Sequence, residues 1–182
     1  MKIMKNINSN RISENKFLVF IEISKGSRNK YELDKETGFL ILDRFLSTSF
    51  RYPANYGFIP LTYCDDNDPL DVFVLSKEVL DPMILVECRP IGVIRMIDNG
   101  ELDEKIIAVP VNDILMRSYK DIIDIPTAFL LEIEHFLTHY KDLEEKKVFI
   151  EKIENQEKAF LIIKKCISKY KRINCSNHKQ KL

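Results

Sequence analysis

The chain has 182 residues, of which 45% are hydrophobic and 31% are charged. This composition predicts one globular domain with a core and excludes a disordered or fibrous protein. Lysine plus arginine equals aspartate plus glutamate at 28 each, so no overall field attracts nucleic acid or an anionic membrane. Any bound anion must therefore be held by a local group of cations.

The cysteines and the chain start indicate the compartment. Cys64, Cys88, Cys166 and Cys175 form no C-x-x-C motif, which argues against a zinc ribbon or a thioredoxin-type site. Residues 1–16 are polar and lack the apolar segment of a secretory signal, and no apolar run is long enough to cross a bilayer. These features predict a cytoplasmic protein with reduced thiols.

The chain divides into a polar N-terminal extension (1–16), a single domain (17–171) and a basic, disordered tail (172–182). Before residue 125 the hydrophobic pattern is mostly that of strands. The candidates are 17–23, 30–33, 39–42, 56–59, 72–75, 84–96 with an interruption at Pro90, and 105–109. Many short strands separated by Pro and Gly indicate a sandwich or a barrel.

After residue 125 the hydrophobic period becomes helical. Pro126 suits the first turn of a helix that runs to about His139. Asn155 is the predicted N-cap of a second helix, which turns Ile163 and Ile167 inward. We therefore expect strands first and two helices at the C-terminal end.

The most informative segment is the acidic loop, residues 65–71, which contains Asp65, Asp66, Asp68 and Asp71. Carboxylates about 5 Å apart repel by roughly 3 kcal/mol per pair at an effective dielectric of about 20, so their convergence requires a cation. Oxygen ligands favour a hard ion such as Mg2+, which retains waters and often bridges to phosphate. Pro69 restricts the loop. A solvated acidic turn is the alternative interpretation.

Several other kinds of site are excluded by residue position. A calcium-binding EF-hand loop starting at Asp66 would need Gly and Glu where Asp71 and Lys77 stand. His135 and His139 lie one helical turn apart, but the Glu of the H-E-x-x-H zinc motif is missing. We interpret them as surface or subunit-contact residues. The five glycines form neither a P-loop nor a dinucleotide fingerprint.

A second acidic set surrounds Asn99-Gly100, a strong signal for a two-residue hairpin turn. Asp98 and Asp103 flank the turn, and Asp103 shares a strand face with Lys105. Taken alone, a charged hairpin tip is usually solvated. It gains significance beside the acidic loop.

Further polar groups are scattered along the chain. Glu22 lies in an otherwise apolar strand, where it needs a cation or a hydrogen-bond partner. The others are Lys30 and Glu32 on one strand face, Arg44 after a strand, Tyr52 and Tyr56 around a constrained turn, and Tyr140 with Lys141 at the end of the first helix. Each alone has an ordinary explanation as a surface charge or a core aromatic residue.

Together these segments resemble the active-site segments of the family I soluble inorganic pyrophosphatases of bacterial type, in the same order along nearly the whole chain. The loop D-N-D-P-L-D-V at 66–72 resembles the family signature. The other similar segments are 21–23, 30–32, 43–45, 52–57, Asp98 with Asp103 and Lys105, and 139–143. The resemblance implies a mainly β fold with an OB-like five-stranded barrel, flanking strands and two C-terminal helices. It also implies Mg2+-dependent hydrolysis of pyrophosphate to two orthophosphates.

The resemblance implies a role for each site residue. The metal ligands would be Glu22, Glu32, Asp66, Asp71, Asp98 and Asp103, which hold several Mg2+ ions, with Asp71 bridging two of them and Glu32 acting through water. The substrate-binding residues would be Lys30, Arg44, Tyr52, Lys105, Tyr140 and Lys141. The catalytic residues would be Asp68, which orients or deprotonates the attacking water, and Tyr56, which steadies the nucleophile. Two metals that share a carboxylate activate water and stabilise the leaving oxygen.

Departures from the family pattern are small. Asn67 stands where many relatives have Gly, and Asn tolerates unusual backbone angles. The chain has no Trp. The bacterial type implies a homohexamer, with His135 and His139 as candidate interface residues.

Two other functions compete with hydrolysis. A non-catalytic barrel that binds divalent cations or a phosphorylated ligand is the first, but it should have lost Asp68, Lys30 or Arg44, and all three are present. An oligonucleotide-binding barrel is the second. It would need a basic groove with exposed aromatic residues, and the carboxylates would repel its phosphates. We therefore expect pyrophosphate as the partner, with no nucleic acid and no membrane.

Overall fold

Strands occupy most of the first two thirds of the chain. The computed structural model describes residues 6–65, 68–144 and 147–179. The strands are β1 (Phe17–Ile23), β2 (Asn29–Leu33), β3 (Leu40–Phe45), β4 (Asn55–Ile59), β5 (Leu70–Val74), β6 (Leu85–Asp98), β7 (Glu101–Pro110) and β8 (Val148–Asn155). The helices are α1 (Thr127–His139) and α2 (Gln156–Lys179).

Five of the strands close into a barrel. Their hydrogen-bonded order is β1-β4-β5-β7-β6, and β6 pairs with β1 to complete the ring. β5 pairs with β7 in parallel, and the other ring pairs are antiparallel. β8 extends the sheet beside β6, and β2 with β3 forms a separate hairpin. The prediction of an OB-like barrel with flanking strands and two helices is confirmed.

One close approach between strands requires glycine. Gly57 of β4 lies opposite Ile21 of β1, and a Cβ atom at position 57 would lie 1.9 Å from the carbonyl oxygen of Phe20. A larger residue would therefore separate β1 from β4. These two strands carry Glu22 and Tyr56.

Apart from shifts of one to four residues at strand ends, the strand predictions differ from the structure at two places. β6 runs through Pro90 without interruption, because a bulge between Pro90 and Gly92 accommodates the missing N–H donor. The hydrophobic pattern does not predict β8, since its charged residues give it a mixed burial pattern. The predicted turn at Asn99 and Gly100 is confirmed, and both residues have the positive φ that this hairpin turn requires, 52° and 89°.

Both predicted helices are present. α1 follows Pro126 and ends at His139. The side chain of Asn155 accepts a hydrogen bond of 3.2 Å from the backbone N–H of Lys158, as expected for the N-cap of α2. α2 continues to Lys179, through residues for which the sequence predicts a disordered tail, and it contains no Pro or Gly to stop it. In the part of the chain that the structure describes, no helix is long and apolar enough to span a membrane.

Apolar side chains form two main cores on opposite faces of the sheet. Phe73 packs with Phe136 of α1 in one core. Val72 lies in the other core with Ile163 of α2. Since side chains alternate along a strand, Asp71 shares the sheet face of Phe73. This is the face on which the polar site opens.

Candidate active site

A polar cleft with two adjoining lobes, of about 230 Å3 and about 130 Å3, contains most of the predicted site residues. The residues that line both lobes are Lys30, Tyr56, Asp71 and Asp103. The larger lobe also contains Glu22, Glu32 and Asp68. The smaller lobe also contains Tyr52, Asp98, Lys105, Tyr140 and Lys141. Asp66 lies outside the described residues.

The centre of the cleft is a cluster around one ammonium group. Lys105 Nζ lies 2.7 Å from Asp71 Oδ2 and 3.0 Å from Asp103 Oδ2. The Tyr56 hydroxyl donates to Asp71 Oδ2 at 2.5 Å and accepts from Lys105 at 3.0 Å. The parallel register of β5 and β7 places Asp71 directly beside Lys105. Strand alternation then brings Asp103 to the same face.

Burial and charge act in opposite directions on Lys105, which is 5% exposed. Burial alone would lower the pKa of its ammonium group, but the nearby Asp71, Tyr56 and Asp103 raise it well above its ordinary value. Burial also raises the pKa of the Tyr56 hydroxyl well above its ordinary value, and the charge of Asp71 adds to this effect. At neutral pH the cluster therefore contains a charged lysine and a protonated tyrosine.

Three further carboxylates of the cleft contact ammonium groups. The pairs are Lys141 with Asp98, Lys30 with Glu32, and Lys35 with Asp68. Within the described residues, no three His, Cys, Asp or Glu side chains form a group that could hold a metal ion. Lys105 lies between Asp71 and Asp103, and Lys30 lies between Glu32 and Asp43, so their positive charges offset the repulsion between these carboxylates.

The donor atoms nevertheless fit divalent cations. The carboxylates of the cleft offer oxygen ligands, the type that hard ions such as Mg2+ prefer. Among the residues that the structure describes, Asp98 Oδ1 is buried and has no hydrogen-bond partner. A buried carboxylate oxygen without a partner is costly, and a cation would satisfy it.

Glu22 is the most deeply buried carboxylate of the cleft, with 7% of its surface exposed. The backbone N–H of Leu33 donates to Glu22 Oε1 at 2.7 Å, which supplies the hydrogen-bond partner that the sequence requires. Burial raises the pKa of Glu22 to about 8, and the Leu33 hydrogen bond opposes this rise. Without a bound cation, Glu22 is therefore mostly protonated at neutral pH.

The raised pKa of Glu22 predicts that the free energy of unfolding depends on pH. Because the folded chain binds the Glu22 proton more tightly than the unfolded chain, the stabilisation is complete below the ordinary pKa and is lost as the pH rises through about 8. With divalent cations chelated, we expect the melting temperature to fall between about pH 5 and about pH 8. Glu22→Gln should reduce this slope in thermal melts. Equal slopes for the two proteins would exclude Glu22 as the cause.

Among the predicted site residues that the structure describes, only Arg44 lines neither lobe of the cleft. Its guanidinium lies 2.6 Å from Asp43 and 2.7 Å from Glu144. Asp43 in turn lies 3.4 Å from Lys30. Arg44 thus adjoins the cleft through a shared carboxylate, and Glu144 follows α1.

For several residues that line the cleft, the local sequence pattern gives no indication that they belong to the site. Lys35 lies in the turn between β2 and β3 and reaches Asp68 across 33 positions. Glu104 and Cys64 line the larger lobe. Asp65 belongs to the acidic loop but pairs with Lys165 of α2 at 2.9 Å. A tertiary contact of this kind depends on how distant segments meet, which local spacing does not encode.

Comparison with known proteins places this chain in a family. The family described as Inorganic pyrophosphatase matches residues 19–171. The chain is 45% identical over 150 residues to Soluble inorganic pyrophosphatase 2 of Chlamydomonas reinhardtii, which covers 82% of this chain and 78% of the relative. It is 52% identical over 135 residues to Soluble inorganic pyrophosphatase PPA1 of Solanum tuberosum, which covers 74% of this chain and 64% of that relative, slightly less than two thirds of its length.

The fold agrees with these matches. The crystal structure of inorganic pyrophosphatase from Thermus thermophilus superposes with a TM-score of 0.88 at 36% identity, and the match covers 92% of this chain and 98% of that one. The non-catalytic alternative has no support among these matches. The chain belongs to the family of inorganic pyrophosphatases, hydrolases that split pyrophosphate into two orthophosphates.

Proposed function

We propose that the cleft hydrolyses pyrophosphate by attack of a water molecule, with several Mg2+ ions bound and with Asp68 as the base. The cluster of Asp71, Asp103 and Lys105 carries this proposal, because it places anionic metal ligands within 2.7–3.0 Å of a cation that can bind phosphate. A substrate with several negative charges needs both kinds of group. Metal ions neutralise the substrate, and cationic side chains orient it.

The metal ligands would be carboxylates that converge on the cleft. They are Glu22, Glu32, Asp66, Asp71, Asp98 and Asp103, of which Asp66 is assigned from the sequence alone. When bound, divalent cations supply charge neutralisation and lower the pKa of the attacking water. The unpartnered oxygen of Asp98 supports this assignment.

The substrate-binding groups would be cations and phenols that line the cleft or, in the case of Arg44, adjoin it. They are Lys30, Arg44, Tyr52, Lys105, Tyr140 and Lys141. Lys30 contacts Glu32 and lies 3.4 Å from Asp43, and Lys141 contacts Asp98. A flexible lysine can turn from such a partner to a phosphate oxygen without crossing the cleft.

Asp68 is well placed to accept a proton. Its side chain is 61% exposed at the edge of the larger lobe, where water has access, and it contacts Lys35. Tyr56 would act differently. Its hydroxyl donates to Asp71, which fixes the orientation of that carboxylate.

The direct test is phosphate release from pyrophosphate by the purified chain. We expect release with Mg2+ present and loss of release when a chelator is added. Restoring Mg2+ should restore activity, which separates chelation from unfolding. Folded protein that releases no phosphate under any of these conditions would contradict the proposal and favour a binding function.

We extend the proposal to the assembly and the compartment. The resemblance to the bacterial type implies a homohexamer. The exposed His135, whose ring is tilted against that of His139 with centroids 4.3 Å apart, would lie at an interface. Light scattering would measure the molar mass of the assembly in solution, and the mass of a single chain would contradict the homohexamer. We also propose a cytoplasmic location, because four widely spaced cysteines without a C-x-x-C motif are typical of a reducing compartment. Fractionation of cells would test it.

A further inference from the structure

Helix α2 holds the start of the acidic loop in place. The backbone N–H of Tyr63 donates to the carbonyl oxygen of Cys166 at 3.1 Å. Lys165 Nζ lies 2.9 Å from Asp65 Oδ2. Both contacts join the loop to one stretch of the helix. Residues 63–65 are therefore fixed against α2, and Asp68 and Asp71 of the same loop line the cleft.

Two thiols meet within this contact. Cys64 Sγ lies 3.7 Å from Cys166 Sγ, although the residues are 102 positions apart. The Tyr63 hydrogen bond to Cys166 already brings the two backbones together. Cys64 is half-buried and lines the larger lobe of the cleft, whereas Cys166 is 3% exposed. An oxidant would therefore reach Cys64 first and Cys166 second.

We propose that Cys64 and Cys166 form a reversible disulfide bond that slows hydrolysis in the cleft. The inference rests on the proposed function, since it describes a regulation of that site. The modification joins the acidic loop covalently to α2. Neither thiol has a part in the proposed reaction itself.

The oxidant would be a small-molecule disulfide such as glutathione disulfide. The thiolate of Cys64 attacks one of its sulfurs, the S–S bond breaks, and the departing thiolate takes up a proton. The thiolate of Cys166 then attacks the Cys64 sulfur of the mixed disulfide and releases the second glutathione thiol. Two protein thiols are oxidised, and one glutathione disulfide is reduced to two thiols.

Bond formation would move the acidic loop. The two sulfurs must approach from 3.7 Å to about 2.05 Å. The N–H of Cys64 donates to the carbonyl oxygen of Asp68 at 2.8 Å, so a shift of Cys64 is transmitted to Asp68. Displacing a catalytic group by about 1 Å can cost about 100-fold in rate. We expect turnover to fall by about tenfold or more on oxidation.

The experiment treats the full chain with glutathione disulfide, maps linked peptides by mass spectrometry and measures hydrolysis before and after. We expect a peptide link between Cys64 and Cys166, a matching loss of turnover, and recovery of both with dithiothreitol. Cys166→Ser should prevent the link and the loss, and Cys64→Ser provides the same test if that variant does not fold. Cys175→Ser is the control, because Cys175 is exposed and should leave both effects intact.

Two results would overturn the proposal. One is glutathione that stays attached to Cys64 without any link to Cys166. The other is a link that forms with no change in turnover. Peptide mapping detects the disulfide bond without any measurement of hydrolysis. The hydrolysis rate of the reduced protein tests the proposed function separately. Failure of the switch is thus distinguished from failure of the hydrolase assignment.

Discussion

Asp68→Asn should lower the turnover of pyrophosphate by about 10^2 to 10^4-fold, the range that a general base contributes. The amide keeps the shape of the side chain but cannot accept the proton. Because the side chain is 61% exposed and its contact is a surface pair with Lys35, the fold should persist. Steady-state phosphate release measures the loss, and circular dichroism checks the fold.

Asp65→Asn is the matched control for this variant. It removes the same charge from the same loop, and Asp65 is as exposed as Asp68 at 61%, but Asp65 pairs with Lys165 of α2. An exposed pair contributes about 0–1 kcal/mol, so the loss should stay below about tenfold. Equal losses for the two variants would remove Asp68 as the base and leave loop charge as the explanation.

Lys105→Met should lower turnover by about 10^2 to 10^3-fold, the loss that follows when one group stabilising transition-state charge is removed. It should also destabilise the chelated protein, because Asp71 and Asp103 would face each other without the ammonium between them. We expect added Mg2+ to raise the melting temperature of this variant more than that of the parent. Thermal melts with and without Mg2+ measure the difference.

Lys152→Met is the control, since Lys152 is 65% exposed on β8 and pairs with Glu154. It should change neither the turnover nor the response to Mg2+. If Lys105→Met kept full turnover, Lys105 would have no part in substrate binding. If Mg2+ raised the melting temperature of parent and variant equally, the metal would not bind beside Asp71 and Asp103.

Much of the barrel can be predicted from the sequence because its strands are marked by local patterns. The apolar run of β1 predicts a buried strand, and all seven residues are buried. The Asn99-Gly100 turn fixes the β6–β7 hairpin. β8 has no such local pattern. It is held in the sheet by its pairing with β6, and its own residues do not alternate between apolar and polar.

The contacts of the candidate site also divide into those that a local sequence pattern predicts and those that it does not. Alternation along β7 is enough to put Asp103 and Lys105 on one face. Nothing local predicts that Lys35 pairs with Asp68, or that Arg44 reaches the cleft through Asp43. These contacts depend on the position of the β2–β3 hairpin over the barrel, which is a property of the tertiary fold. The family resemblance supplied the roles that spacing alone did not.

The parallel pairing of β5 with β7 has a consequence for folding. Asp71 and Lys105 become neighbours only when segments 34 residues apart have paired, and parallel contacts of this kind form slowly. An unfolded chain therefore has no such pocket to offer a divalent cation. Since a ligand that binds the native state alone shifts the folding equilibrium by mass action, the concentration of free Mg2+ would set the fraction of molecules that is folded.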